Sequence, residues 1–506
     1  MKYIIKITKD IENQVNTMTV DELLDIITCP NYRINDKTFY NTYCAFIYPA
    51  KKEDMIKIIS KIKSLTHPVM IASDMEAGPG TAIEGATVFS SMRGACETGE
   101  PKLVYKMGKV AAYESREIGL NWTFAPCVDI LGNHFSPMTS LRSAGEDKDV
   151  VIQYTNEYYH GLEDYHMTAT LKHFPGDGYT MFDQHLTTAI NPLSKDEWDK
   201  TYRKVYEHFI NEGVKSIMPG HIALPSYDEI DKATGIYPPA TLSYNLLTNL
   251  LKNDLKFDGL IISDATEMSG FCGYINYYDA CARFLMSGGD CLLFVHPDDE
   301  FHKKMKESID KGNLTLEVLK DRAKRVIGFS IENASYQEIL SFDKEENEEV
   351  SKAITKKSVK IFKSVPNLLP IKENNLKIAH VIIATQMNNT IGEAFTKELS
   401  KHGMVHELVD PGCQKLKEIV KNKTYDLIVC TTGCTAWYGT NQIILSGVIA
   451  RNMMNGWMKY DTPVVFVDFG NPYFHEEYVA LTDNLIYTYG FTKYTCETIC
   501  EKLFIK

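Results

Sequence analysis

The sequence lacks the features of a secreted, membrane-spanning or nucleic-acid-binding protein. Residues 1–10 are too short an apolar stretch, and too interrupted by charge, for a signal peptide. No apolar run is long enough to cross a bilayer. Acidic residues outnumber basic ones by 66 to 54, for a net charge of -12, which argues against nucleic acid or an anionic membrane as a general partner. We therefore expect a cytoplasmic protein without nucleic-acid or membrane partners.

The cysteines also lack a pattern that would bind metal. The chain has 12 of them, and they are scattered. Cys430 and Cys434, like Cys496 and Cys500, are not at the spacing of a zinc ribbon. Buried free thiols in a reducing compartment are expected instead.

What the sequence does contain is an alternation of short apolar runs and amphipathic segments, which is typical of an α/β protein. Its 506 residues suit two or three domains. The predicted strands fall into two sets: 43–48, 68–74, 121–129, 167–171, 214–218, 259–264 and 290–294, then 380–384, 426–430, 463–467 and 484–488. A predicted helix over 318–331 and an acidic run at 345–350 separate the sets.

Residues suited to proton transfer gather in one stretch. Lys172 and His173 are predicted at the end of a strand, before a turn rich in proline and glycine. Asp183 and His185 follow on the loop, two positions apart. A carboxylate on one ring nitrogen fixes the tautomer of an imidazole and stabilises its protonated form. The pair therefore predicts a general acid/base on a loop, where sites are often built on rigid scaffolds.

A further carboxylate ends the predicted strand 259–264. A carboxylate at the mouth of a buried strand is costly unless it is used or paired, so Asp264 is a candidate functional residue. Glu267 is a rival, but it lies at a predicted helix start, where an acidic side chain already interacts favourably with the helix dipole.

These segments resemble family 3 of the glycoside hydrolases, and most closely the NagZ-type β-N-acetylglucosaminidases. Lys-His-Phe-Pro-Gly at 172–176 followed by Asp-x-His resembles the acid/base loop of that branch, with Asp177 in place of a His and Gln184 in place of a Ser. The strand that ends in Asp264, with Met268 four residues on, resembles the segment of the nucleophile.

Other segments extend the resemblance to the sugar-binding residues. Asp74 and Glu76 match the family's Asp-x-Glu-Gly-Gly, with Ala77 in place of the first Gly, and the segment 121–129 matches its Asn-x-x-x-Ala-Pro-x-x-Asp. Arg142 begins its Arg-Ser-Phe-Gly-x-Asp, with Ala144 in place of Phe. An arginine there would present its fixed donors to sugar hydroxyls. The substrate-binding residues that the resemblance implies are Asp74, Arg142, Lys172, His173, Met218, His221 and Met268.

The resemblance implies a TIM-like (β/α)8 barrel over 1–335, a linker helix over 336–360 and an open α/β sandwich domain over 361–506. It implies a retaining exo-β-N-acetylglucosaminidase that releases terminal GlcNAc from an oligosaccharide or cell-wall fragment. Asp264 would form a covalent glycosyl-aspartate, and His185 with Asp183 would be the acid/base. No metal or other cofactor is implied, and the oligomeric state stays open.

Alternatives rest on the same residues. Phosphorolysis is one, because a neutral imidazole, unlike a carboxylate, does not repel phosphate. β-Glucosidase activity is another, although those members usually take their acid/base from a C-terminal glutamate. A zinc-dependent barrel hydrolase would use His173, His185, His221 and Asp264, but the adjacent Lys172 and the order of the family segments argue against it. The intact dyad and nucleophile argue against an inactive sugar-binding protein.

Overall fold

The computed structural model describes residues 2–65, 67–334, 341–373, 375–385, 389–434, 439 and 443–505. The chain packs into two compact units, the first made of 1–88, 104–133 and 143–347, and the second of 89–103, 134–142 and 348–506. Two stretches that precede the predicted boundary at 335 thus group with the second unit. Within the predicted linker 336–360, the structure describes one helix, Lys344–Ser358; residues 336–340 lie outside the described ranges.

The first unit is a mixed α/β fold around a curled parallel sheet. Its strands lie in the order Leu260–Ile261, Ser216–Pro219, Thr168–Phe174, Trp122–Thr123, Met70–Ser73, Cys44–Ile47 and Asn31–Tyr32. All of these neighbours pair in parallel. A parallel bridge links Ile262 to Cys291, and Thr28–Cys29 pairs with Leu292–Leu293. The carboxyl ends of parallel strands share one edge, which is where α/β proteins build their sites.

Two further parallel pairs lie beside this sheet, Ala50–Lys51 with Ile83–Glu84 and Ala189–Ile190 with Ile222–Ala223. Each strand predicted for this unit overlaps an observed strand. The strand Thr168–Phe174 continues beyond the predicted end at 171. Lys172 and His173 therefore lie inside the strand, where Lys172 pairs with Met218 and His173 lies at a register shift between Lys172 and Phe174.

Helices connect these strands. The described helices of the first unit, with those that it shares with the second, are Lys9–Thr17, Val20–Ile26, Lys52–Ile62, Pro101–Ile118, Lys148–Glu163, Lys195–Lys200, Tyr202–Glu212, Asn245–Asp254, Ser269–Cys272, Tyr277–Ser287, Asp299–Asp310, Leu316–Ala334 and Lys344–Ser358, with short 3-10 turns at Pro79–Thr81, Pro225–Tyr227 and Ala240–Leu242. The 3-10 turn at Ala240–Leu242 precedes the helix Asn245–Asp254, which is of the wider π type.

The second unit has a six-stranded sheet with apolar residues buried on both faces. The strands lie in the order Lys360–Lys363, Leu485–Tyr487, Val464–Asp468, Leu427–Cys434, Leu376–Thr385 and Gly403–Val409. The first pairing is antiparallel and the others are parallel. Its helices are Met92–Cys96, Asn389–Leu399, Cys413–Lys421, Gly447–Ala450, Phe474–Tyr478 and Thr495–Leu503, with a 3-10 segment at Arg451–Lys459.

Burial on both faces explains why the inner strands read as continuous apolar runs. Along Leu427–Cys434, Ile428 and Cys430 join one apolar cluster, while Leu427 and Val429 join the other. Among the described helices of the chain, none combines the length and the apolar character needed to cross a membrane.

Candidate active site

Asp183 and His185 form the predicted pair. His185 Nδ1 lies 2.7 Å from Asp183 Oδ1, and the backbone N–H of His185 donates to the same oxygen at 2.8 Å. The Asp183 side chain is fully buried, whereas the His185 side chain is 26% exposed. The Asp183 carbonyl also accepts hydrogen bonds from the backbone N–H groups of Leu186 and Thr187. The carboxylate therefore holds a proton on Nδ1 and fixes the tautomer of an accessible imidazole.

Asp264 is buried three residues after the strand Leu260–Ile261. Its Oδ1 accepts the backbone N–H of Ala265 at 2.8 Å, and its Oδ2 lies 3.9 Å from His173 Nε2. Burial by itself raises the pKa of this carboxyl. The His173 imidazole, two other histidines and Lys172 outweigh burial, so that the pKa lies below its ordinary value. An ionised carboxylate in a buried setting is suited to nucleophilic attack.

A second carboxylate, Asp129, orients His173. His173 Nδ1 lies 2.7 Å from Asp129 Oδ2, and the His173 backbone N–H donates to Oδ1 at 3.2 Å. Asp129 also accepts the backbone N–H of Asp177 at 2.7 Å and the Cys127 thiol at 3.2 Å. Burial raises the pKa of Asp129, but the neighbouring imidazole and these donors more than offset it and keep the pKa low.

Sequence reasoning noted Asp129 only as the end of a family segment and did not assign it to the site. The signal available was the match of the segment 121–129 to the family. The partner, His173, is 44 positions away, and that pairing depends on the fold.

Lys172 is buried against two carboxylates. Its Nζ lies 2.9 Å from Asp74 Oδ1 and 2.5 Å from Glu76 Oε1. The Asp74 side chain remains 47% exposed, so its oxygens can reach a ligand. The charge of Lys172 is thus balanced locally, and the group offers a set of fixed donors and acceptors of the kind that binds hydroxyls.

His221 is fully buried, and the protein engages both of its ring nitrogens. Nδ1 lies 3.0 Å from Thr241 Oγ1, and Nε2 lies 3.0 Å from the Ala265 carbonyl oxygen. Burial lowers the pKa of His221, which keeps the ring neutral. Met218 and Met268 are also buried. Met218 lies in a strand three residues before His221, and Met268 lies three residues after Ala265, just before the short helix Ser269–Cys272.

The four candidate zinc ligands are not grouped around one point. Within the described ranges, the His, Cys, Asp and Glu side chains close enough to share an ion are Cys127, Asp129 and His173, with ligand atoms within 4.8 Å of one another. That group contains neither His185 nor His221. The hydrogen bonds of Asp129 to its neighbours also account for the closeness of the three side chains without an ion.

Arg142 lies in the segment 134–142, which belongs to the second unit. Its Nη1 donates to the Met138 carbonyl at 3.1 Å. Its contact with a sugar stays a prediction.

Comparison with known proteins adds the family context. The family model described as Glycosyl hydrolase family 3 N terminal domain matches residues 45–329. The chain is 28% identical over 470 residues to a beta-N-acetylglucosaminidase/beta-glucosidase of Cellulomonas fimi, covering 87% of this chain and 82% of that protein. It is 28% identical over 252 residues to a beta-hexosaminidase of Glaesserella parasuis serovar 5, covering 49% of this chain and 71% of that protein.

Among solved structures, the chain is similar to beta-glucoside phosphorylase BglX bound to 2FGlc. The TM-score is 0.90 at 25% identity, over 99% of this chain and 95% of that one. The similarity therefore extends over the residues of both units.

Proposed function

This chain belongs to family 3 of the glycoside hydrolases, and from that premise we propose that it is a retaining exo-β-N-acetylglucosaminidase. Its substrate would be a terminal β-linked GlcNAc on an oligosaccharide or cell-wall fragment. One observation carries the proposal: a buried carboxylate with a lowered pKa, Asp264, occurs in the same unit as His185, whose Nδ1 is held by Asp183 at 2.7 Å.

The first step uses Asp264 as the nucleophile. Its Oδ1 accepts the Ala265 N–H, so Oδ2 is the oxygen proposed to attack the anomeric carbon. The bond from that carbon to the glycosidic oxygen breaks, and His185 Nε2 gives its proton to the departing oxygen. The products are a glycosyl-aspartate, a neutral His185 and the released alcohol.

The second step reverses these roles. The neutral Nε2 of His185 takes a proton from water, and the oxygen of that water attacks the anomeric carbon. The ester bond to Asp264 breaks and the carboxylate returns. Two inversions leave the sugar in its original β configuration. Asp183 stabilises the imidazolium at the start and the end of the cycle.

We further propose that Asp74, Lys172 and His173 hold hydroxyls of the terminal sugar. Their support is chemical: each is fixed by a partner, Lys172 by two carboxylates and His173 by Asp129. Fixed partners orient the donors before the sugar arrives, which lowers the cost of binding. Closure of the first sheet into a TIM-like (β/α)8 barrel, an open α/β sandwich for the second unit and a cytoplasmic location belong to the same proposal.

Phosphorolysis of the same glycosides is a second candidate. It is favoured by the acid/base being an imidazole, which is neutral when the second step begins and so does not repel an anionic acceptor. The similarity to a beta-glucoside phosphorylase points the same way. Lys172 adds little net positive charge to attract phosphate, because Asp74 and Glu76 balance its charge.

The test uses matched aryl β-glycosides of GlcNAc and glucose, each with and without phosphate in the buffer. We expect faster turnover of the GlcNAc compound and release of the β anomer of the free sugar, followed by NMR. Initial release of the α anomer would contradict the covalent intermediate, and faster turnover of the glucoside would contradict the choice of sugar. A sugar 1-phosphate as the main product in phosphate would select the second candidate over hydrolysis.

A further inference from the structure

Gln184 stands between the two members of the dyad and is itself fully buried. Its Oε1 accepts the backbone N–H of His221 at 2.7 Å. Since an N–H group must face an acceptor, this bond sets the orientation of the amide. The Nε2 of Gln184 is buried and has no hydrogen-bond partner among the described residues. A buried amide hydrogen without a partner is unfavourable, so Gln184 carries an energetic cost at this position.

The bond continues through His221 to the residue beside the nucleophile. His221 Nε2 lies 3.0 Å from the Ala265 carbonyl oxygen and must carry the proton, since a carbonyl only accepts. His221 Nδ1 then accepts from the Thr241 hydroxyl at 3.0 Å. Ala265 in turn donates its N–H to Asp264 Oδ1 at 2.8 Å. A continuous series of contacts thus runs from Gln184 to the Asp264 carboxylate.

Backbone bonds tie the same two segments together. The His185 carbonyl accepts from Ser269 N–H at 2.9 Å, and the Gln184 carbonyl accepts from Gly270 N–H at 3.2 Å. A Cβ on Gly270 would lie 2.6 Å from the Gln184 carbonyl oxygen and 2.6 Å from His221 Cβ. This close approach therefore needs glycine at 270.

We propose that Gln184 and His221 are positioning residues that hold the acid/base at a set place relative to the nucleophile. Asp183 fixes the tautomer and the ring orientation of His185, but it lies on the same loop and cannot fix where that loop lies. Gln184, through His221, joins the loop to the segment after Asp264. Small displacements of a reacting group cost large factors in rate, so this connection contributes to turnover. The inference rests on the proposed roles of His185 and Asp264.

The test is a double-mutant cycle in the full-length chain. Gln184→Met keeps the length of the side chain and removes both the oxygen and the nitrogen of its amide. With a substrate that has a poor leaving group, we expect it to lower kcat by about tenfold, the scale of one lost hydrogen bond, with little change in KM. In a His185→Ala background, where no imidazole is left to position, we expect Gln184→Met to lower kcat by less than about twofold. Gln153→Met, on the exposed face of the helix Lys148–Glu163, is the matched control.

Equal losses from Gln184→Met in both backgrounds would overturn the inference, because they would indicate general damage to the fold. The inference would also be overturned if Gln184→Met, made in the parent chain, left kcat unchanged. If Gln184→Met does not fold, Thr241→Val removes the hydroxyl that His221 Nδ1 uses, at nearly constant volume, and the same cycle applies to it. Full activity of the His185→Ala variant would instead contradict the proposed role of His185 as the acid/base. That single variant therefore separates a failure of the proposed function from a failure of this inference.

Discussion

His173 Nδ1 lies 2.7 Å from Asp129 Oδ2, although the two residues are 44 positions apart in the chain. On its other side, His173 Nε2 faces Asp264 Oδ2 at 3.9 Å. The imidazole therefore lies between two carboxylates. We expect Asp129→Asn to lower kcat/KM by about tenfold or more, because an amide beside Nδ1 no longer supplies the charged acceptor that orients the ring and fixes its tautomer.

The measurement is steady-state kinetics on the aryl GlcNAc substrate, with thermal unfolding as the check that the fold survives. Asn keeps an oxygen that can accept from the His173 and Asp177 backbone N–H groups. Unchanged kcat/KM in a folded variant would show that the charge of Asp129 is not needed for turnover.

The nucleophile is tested by substitution and by trapping. Asp264→Asn should remove turnover while the fold remains, since the covalent step needs the charged oxygen. A 2-fluoro glycoside slows the second step, and peptide mapping of the trapped protein should place the sugar on Asp264. Sugar found on Glu267 would assign the nucleophile to the rival carboxylate.

The acid/base is tested through the leaving group. His185→Ala should slow substrates with poor leaving groups most, because activated aryl groups depart without protonation. Azide, which attacks without a base, should restore part of the turnover of the activated substrate. Equal losses on both substrates, with no effect of azide, would contradict the role of His185.

Stability at low pH is predicted from His380 in the second unit. Its imidazole is buried between the Thr396 and Thr431 hydroxyls, each at 2.7 Å, and burial lowers its pKa from 6.5 to about 4. The unfolded chain therefore takes up this proton more readily than the folded one. The contribution of His380 to stability is complete above pH 6.5 and is lost as the pH falls toward 4, a change of about 3 kcal/mol.

The check is urea unfolding of the parent and of His380→Gln across that range. The variant should be less stable near neutral pH and should lose less stability on acidification. His406→Gln, at an exposed position of the strand Gly403–Val409, is the control. Parallel pH curves for parent and His380→Gln would refute the assignment.

The strands were predictable wherever they are buried on both faces. The predicted run 463–467 lies almost entirely within the observed strand Val464–Asp468. Its apolar side chains are continuous, which is the pattern of a strand buried on both faces. Thr28–Cys29 and Asn31–Tyr32 were missed, since strands of two residues with polar members carry no readable period. The membership of 89–103 in the second unit was also missed, because it depends on long-range contacts.

The site shows the same division between local and distant information. Asp183 and His185 were found because a pair two residues apart is visible in the sequence, and the structure places them within 2.7 Å. Asp129 and Gln184 were not assigned. Asp129 meets its partner His173, and Gln184 meets its partner His221, only when separate strands come together at one edge of the sheet.

The second unit is made of three separate stretches of the chain, and this limits how the chain can be recombined with a relative. The Tyr489 carbonyl accepts from both the Ser91 backbone N–H at 3.2 Å and the Ser91 hydroxyl at 2.6 Å. A cassette of 348–506 exchanged with a relative would carry Tyr489 but leave Ser91 in the recipient. A chimera with a single crossover at 347 would therefore join residues that were not selected together. Grafts that also include 89–103 and 134–142 would carry Ser91 together with Tyr489, so that the hydrogen-bond donor and its acceptor come from the same protein.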